Sequence, residues 1–122
     1  MEQKEGVVII LTYAGEDPER ATIPFVMGNA AWAMDEKATI ILQGNAVLLA
    51  KKGYAEAVHA GGFDPLKKLM DSFLDLGGSI LVCTPCCKER HIEEADLIDK
   101  AQLAAAGTFI NECCNAKAVV TY

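Results

Sequence analysis

Two hydrophobic rhythms alternate along the chain. Residues 6–14 form a nearly unbroken apolar run rich in β-branched side chains, the mark of a strand covered on both faces. Asp17-Pro18 then supplies a helix N-cap followed by proline at the first helical position. Behind it Ala21, Phe25, Ala30, Ala31 and Ala33 make the apolar side of a helix ending near Met34. Pro24 falls inside this helix and predicts a bend or a later start. Residues 37–44 read as a second buried strand, closed by Gly44-Asn45, with a short helical turn over residues 47–52. After the Gly61-Gly62-Phe63 loop, Asp64-Pro65 repeats the cap-plus-proline pair. Leu66, Leu69, Met70, Phe73 and Leu76 recur at helical spacing, so this segment is an amphipathic helix, stopped by Gly77-Gly78. Residues 79–83 are a third strand ending on Cys83, and Thr84-Pro85 opens a short helix through Arg90. An acidic stretch with Glu93, Glu94, Asp96 and Asp99 leads to a short strand over residues 102–105. Thr108 is read as the cap of a helix through Asn115, and residues 118–121 as the last strand.

Strand and helix alternate throughout, which predicts one α/β domain over residues 1–122: a mostly parallel sheet of about five strands with helices on both faces. The composition agrees, with 52% hydrophobic and 23% charged residues in 122. A formal net charge of −6 repels phosphate backbones and argues against a nucleic-acid partner. The apolar runs are far shorter than the roughly 20 residues of a spanning helix, so no membrane span is expected. The opening Met1-Glu2-Gln3-Lys4-Glu5 lacks the basic start and long apolar run of a secretory signal.

The five cysteines change the picture most. Cys83, Cys86 and Cys87 form one group and Cys113 and Cys114 another, and close neighbours make strained disulfides. A reducing compartment, the cytoplasm, is the simpler expectation, where thiols are catalytic, metal-binding or merely buried. Chemistry in open α/β sheets gathers beyond the carboxyl ends of strands, and Cys83 stands at such an end. The free N–H groups of the helix that follows, its dipole, and the charges of Lys88 and Arg90 would favour thiolate there. Such a thiolate can attack the outer sulfur of a persulfide, hold it as Cys–S–SH and pass it on. The competing reading is a set of small buried hydrophobes.

The spacing Cys83-Thr-Pro-Cys86 is also a C-x-x-C, able to cycle between dithiol and disulfide. Cys83, Cys86, Cys87 and His91 offer four potential metal ligands, but zinc sites of that type draw on two separated knuckles, so no metal is expected. Cys113-Cys114 reads as structural, one residue facing the core and the other partly exposed. His59 is a loop residue, Trp32 a core or subunit-interface residue, and the Glu93–Asp99 acidic cluster a solvated face. The chain contains no Walker loop, no G-x-G-x-x-G and no assignable Ser-His-Asp set, and the chemistry above needs no organic cofactor.

These segments together resemble the DsrE/DsrF-like family, which includes sulfur-relay subunits of the DsrE and TusD type. The resemblance rests on residues 12–21, on Gln43-Gly44-Asn45-Ala46-Val47-Leu48-Leu49, on Gly77-Gly78-Ser79-Ile80-Leu81-Val82-Cys83 with Cys86 and Arg90-His91-Ile92, on Asp96-Leu97-Ile98, and on the closing residues 116–122. It implies a flavodoxin-like three-layer α/β/α fold and a homotrimer or homohexamer. It also implies persulfide sulfur carried on a cysteine that ends the strand before a short helix, the position matched by Cys83. The family's turn glycine after that helix is replaced by His91, and Cys86 matches a second cysteine seen in some relatives but not in the relay subunits.

The leading expectation is therefore a sulfur-carrier or sulfurtransferase-like protein. Cys83 is its nucleophile and persulfide carrier, Cys86 an auxiliary or resolving thiol, and its partners are sulfur donor and acceptor proteins. A C-x-x-C dithiol oxidoreductase and a non-enzymatic oligomeric scaffold or regulator are the alternatives.

Overall fold

The computed structural model describes residues 4–122 and folds them around one five-stranded sheet. The strands are β1 (Val7–Leu11), β2 (Ala38–Leu42), β3 (Ser79–Cys83), β4 (Ala101–Ala104) and β5 (Ala118–Thr121), arranged β4-β3-β2-β1-β5. Every pairing is parallel, as the nearly continuous apolar runs require of strands buried on both faces. The connecting helices are α1 (Pro18–Ala33), α2 (Leu66–Asp75), α3 (Thr84–Glu89) and α4 (Ala106–Cys114). α1 and α2 pack together on one face of the sheet. The β4-to-β5 connection runs back across the whole sheet, so the right-handed crossover rule puts α4 on the opposite face. This is the three-layer α/β architecture expected from the alternation of elements.

The core lies between the central strands and the α1–α2 pair. Ile9, Leu11, Ile40, Leu42, Ile80 and Val82 are buried in the sheet, and Phe25 of α1 meets Phe73 of α2 edge-to-face at 5.9 Å between centroids. Gly28 and Gly78 make room for Phe73: a Cβ on either would come within 2.8 Å and 2.4 Å of the ring. Register then sets up the functional edge. Leu11 lies opposite Leu42 and Leu42 opposite Val82, so β1, β2 and β3 finish level and their following loops emerge side by side.

Several local expectations are corrected. β1 stops at Leu11 rather than continuing to residue 14; Thr12 still gives its N–H and hydroxyl to the Tyr122 carbonyl at 3.2 and 3.0 Å. α1 runs through Pro24 from a start at Pro18, although the proline has no N–H to give the Arg20 carbonyl one turn earlier. Asp17 caps it as expected, accepting from the Arg20 N–H at 3.2 Å. Asp64 does not cap α2, whose N-cap position is Pro65; its carboxylate instead pairs with Lys68 at 3.6 Å. Thr108 does not cap α4 either, because that helix begins at Ala106, directly after β4. The turn after β2 is a 3-10 helix over Gly44–Ala50, starting three residues before the expected position. Among the described residues no helix is long and apolar enough to cross a membrane.

Candidate functional site

Cys83 and Cys86 meet at the level edge where β1, β2 and β3 end. Cys83 is the last residue of β3 and the N-cap of α3, with extended backbone and only 8% exposure. Cys86 lies one turn into α3 and is half-buried. The two thiols lie close enough for Cys86 to perturb the ionisation of Cys83. The Gly44 N–H, first in the turn after β2, donates to Cys86 Sγ at 3.3 Å. Gly44 takes a φ of +56°, a left-handed conformation that glycine adopts without steric cost. Cys87, also buried, is pointed elsewhere, into a cleft of about 260 Å³ beside Ile92 and Leu103.

Burial dominates the electrostatics of this group. It pushes the Cys83 thiol above its ordinary pKa, the Cys86 side chain adds to the rise, and the Cys86 backbone N–H and Arg90 charge only partly oppose it. Cys87 is raised in the same way, first by burial and then by the neighbouring thiols, with Arg90 opposing. The thiolate expected at Cys83 is therefore replaced by a neutral thiol at neutral pH. α3 has only six residues, so its dipole is short, and desolvation outweighs it. Of the two expected cationic neighbours, Arg90 acts on the thiols, while Lys88 is exposed and borders the Cys87 cleft.

A polar chain joins the three loops. Arg90 donates from Nε and Nη2 to Asn45 Oδ1 at 3.1 and 2.9 Å, and from Nη1 to the Cys86 carbonyl at 3.1 Å. Asn45 Nδ2 donates to Glu16 Oε2 at 2.9 Å, and Glu16 Oε1 accepts the Ala14 N–H at 2.8 Å. Burial alone would raise the Glu16 carboxyl, but the Asn45 side chain, the backbone N–H groups of Glu16 and Ala14, and Arg90 together hold it below its usual range. Sequence reading took Gly44-Asn45 only as a strand terminator and passed over Glu16. The signal that could have found them is positional: both follow strands whose ends lie level with Cys83.

The remaining candidates stay apart. His59 is exposed and bonds its own loop, Nε2 to the Phe63 carbonyl at 2.8 Å. His91 is exposed at a φ of +56°, the left-handed turn in which the family pattern has glycine. Cys113 packs partly against the core and Cys114 is exposed, the split expected of that pair. Trp32 is partly buried against the core, its indole N–H unpaired. Among the described residues no group of three or more His, Cys, Asp or Glu side chains is placed to hold a metal ion.

The DsrE/DsrF-like family model matches residues 5–122 of the chain. The chain belongs to the DsrE/DsrF-like family. Among its relatives, the uncharacterized protein MJ0989 of Methanocaldococcus jannaschii is 32% identical over 114 residues, covering 93% of this chain and 96% of the relative. The uncharacterized protein MJ0760 of the same organism is 34% identical over 107 residues, covering 88% of this chain, which spans only 39% of that longer protein. The YchN protein of E. coli shares the fold with a TM-score of 0.82 at 17% identity, over 97% of this chain and 99% of that one. MTH1491 of Methanobacterium thermoautotrophicum, a protein of unknown function, does so with a TM-score of 0.75 at 10% identity, over 97% and 100%.

Proposed function

We propose that this DsrE/DsrF-like protein is a sulfur-relay protein of the sulfurtransferase type, carrying persulfide sulfur on Cys83 with Cys86 as its auxiliary thiol. The observation that carries the reading is a close cysteine pair where three loops meet, Cys86 half-buried with its sulfur held by the Gly44 N–H and Cys83 buried beside it. In the transfer, a cysteine sulfur gives up its proton and bonds to the outer sulfur of a donor persulfide. The donor's inner sulfur leaves with the electron pair of the broken S–S bond, as a thiolate. Handing the sulfur to an acceptor thiol repeats the exchange, so no oxidant, reductant or organic cofactor is consumed. Sulfur donor and acceptor proteins are the partners this requires, and the reducing cytoplasm is the compartment that suits it.

Treatment with a persulfide donor should add the mass of one sulfur atom to the intact protein. The adduct should vanish in Cys83→Ser and form more slowly in Cys86→Ser. No adduct, or one that survives Cys83→Ser, would count against the reading. The proximity of Cys83 and Cys86 also favours a second reading, a dithiol oxidoreductase. That one predicts a reversible disulfide between the two, detected as the loss of two hydrogens and abolished by Cys86→Ala.

Self-assembly as a homotrimer or homohexamer belongs to the same proposal. It is supported by an apolar cleft of about 220 Å³ against β1 and β5, flanked by Met27 and Met34, which are 43% and 77% exposed. Sedimentation velocity decides it, and a strict monomer would refute it.

A further inference from the structure

The polar chain beside the cysteine pair has a direction. Glu16 takes up the side-chain nitrogen of Asn45 at 2.9 Å, which leaves Oδ1 turned toward Arg90. Arg90 then spends Nε and Nη2 on that oxygen and Nη1 on the Cys86 carbonyl, so a long, rotamer-rich side chain is fixed at three nitrogens. Asn45 also follows directly on Gly44, whose N–H meets the Cys86 sulfur. Two consecutive residues therefore grip Cys86, one at its sulfur and one, through Arg90, at its carbonyl. An amide suits the middle position, because it offers a donor to the carboxylate and an acceptor to the guanidinium.

We propose that Asn45 is a positioning residue of the sulfur site: anchored by Glu16, it locks the Arg90 guanidinium against the Cys86 carbonyl and keeps a fixed positive charge beside the Cys83–Cys86 pair. What that charge is for rests on the sulfur-relay reading; the arrangement itself does not. The titratable and charged groups around the pair are Arg90 and Cys87 on α3 and Glu16 in the loop after β1. Glu16 is turned away onto Ala14 and Asn45, while the Arg90 charge favours the ionised forms of Cys83 and Cys87 against burial.

The test is an NMR titration of the full chain carrying ¹³C at every cysteine Cβ, under reducing conditions, which follows each thiol without any reagent having to reach it. Arg90→Met should raise the Cys83 midpoint by about half a pH unit, a modest shift because the Arg90 charge is the smallest of the influences on that thiol and is screened by solvent. Asn45→Ala removes no charge, yet it should raise the same midpoint by a comparable amount. The double variant should rise no further than the larger single one, because both substitutions remove one effect. An unmoved midpoint in Asn45→Ala would overturn the proposal even if urea stability fell, since that is what a merely structural residue would do. An unmoved midpoint in Arg90→Met, or additive shifts in the double variant, would overturn it as well. No persulfide enters this titration, so absence of the sulfur adduct in the mass experiment defeats the relay reading alone, and unmoved midpoints defeat the positioning role alone.

Discussion

Raising the pH should destabilise this protein through two of its own thiols. Cys83 and Cys87 are 8% and 2% exposed, and burial pushes both above the ordinary thiol pKa, which is about 8.5. In the unfolded chain the same thiols are solvated and release their protons at that ordinary value. Below it both states are protonated and the two groups contribute their full share of stability. Above it the unfolded state has lost protons that the folded state keeps, so stability falls until the pH passes the folded-state values. One such group costs about 1.4 kcal/mol per pH unit, and two set a ceiling of about 2.7 kcal/mol per unit. Arg90 pulls both thiols back, as does the Cys86 N–H at Cys83, so the observed slope should lie below that ceiling. The assay is urea unfolding under excess reductant from about pH 8 to about pH 10, comparing wild type with a Cys83→Ala/Cys87→Ala variant. Lysines and tyrosines titrate in both proteins and cancel in the difference. Wild type should lose its advantage progressively across that range, at a slope below the ceiling. Parallel curves, or a flatter wild type, would refute the claim that these sulfurs are desolvated enough to stay neutral.

Three further outcomes follow from the packing. Phe73→Ala should cost about 3–5 kcal/mol in urea unfolding, because the ring is fully buried against Phe25; Gly78→Ala should also destabilise, its new methyl lying 2.4 Å from that ring, and should be partly rescued by Phe73→Leu. Asp17→Ala should lower stability by about 1 kcal/mol and Asp64→Ala by under about 0.5 kcal/mol, since only the first caps a helix while the second makes an exposed ion pair. Gly44→Ala should cost about 1–2 kcal/mol in urea unfolding through its positive φ alone, because the nearest atom to the added carbon is the Thr12 carbonyl oxygen, at an ordinary contact distance of 3.7 Å.

What was legible in the sequence was what depends on neighbours along the chain. The apolar runs at β1, β2 and β3 identify themselves because strands covered on both faces need no polar alternation. The amphipathic spacing of α2 is equally plain. Capping was read less well. Asp17 and Asp64 both precede a proline, yet only Asp17 folds back onto its helix, because α2 starts at Leu66, one residue after Pro65. Thr108 looked like a cap because its hydroxyl suits one, but β4 runs almost directly into α4, so the helix has begun before Thr108 is reached. At the candidate site, the strand-end position points to Cys83 and the C-x-x-C spacing to Cys86. Neither signal reaches Asn45 or Glu16, because Arg90 and Asn45 are 45 residues apart, Asn45 and Glu16 are 29 apart, and only the sheet register brings them together. The electrostatic sign was missed for a related reason: the helix dipole is a local feature, whereas the burial that outweighs it comes from the whole fold.

The placement of Cys83 on β3 also limits how a partner could reach it. β3 is flanked by β2 on one side and β4 on the other, and Cys83 lies opposite Ala104. The Thr84 hydroxyl ties the start of α3 to the Ala104 carbonyl at 2.9 Å, closing the side toward the sheet edge. A sulfur so placed is reached along the strand direction, past Cys86 and the loops that carry Gly44, Asn45 and Glu16. On the relay reading this orders the two thiols in space: the auxiliary Cys86 stands half-buried at the rim and the accepting Cys83 lies buried behind it. The same burial that makes Cys83 slow to ionise would shield sulfur stored there from small thiols in solvent. A carrier must keep its cargo from free thiols and still surrender it to a docked one. On the relay reading, access from the strand ends would meet both requirements, and it would make the short turn after β2, together with the cysteine helix, part of the surface that an acceptor meets.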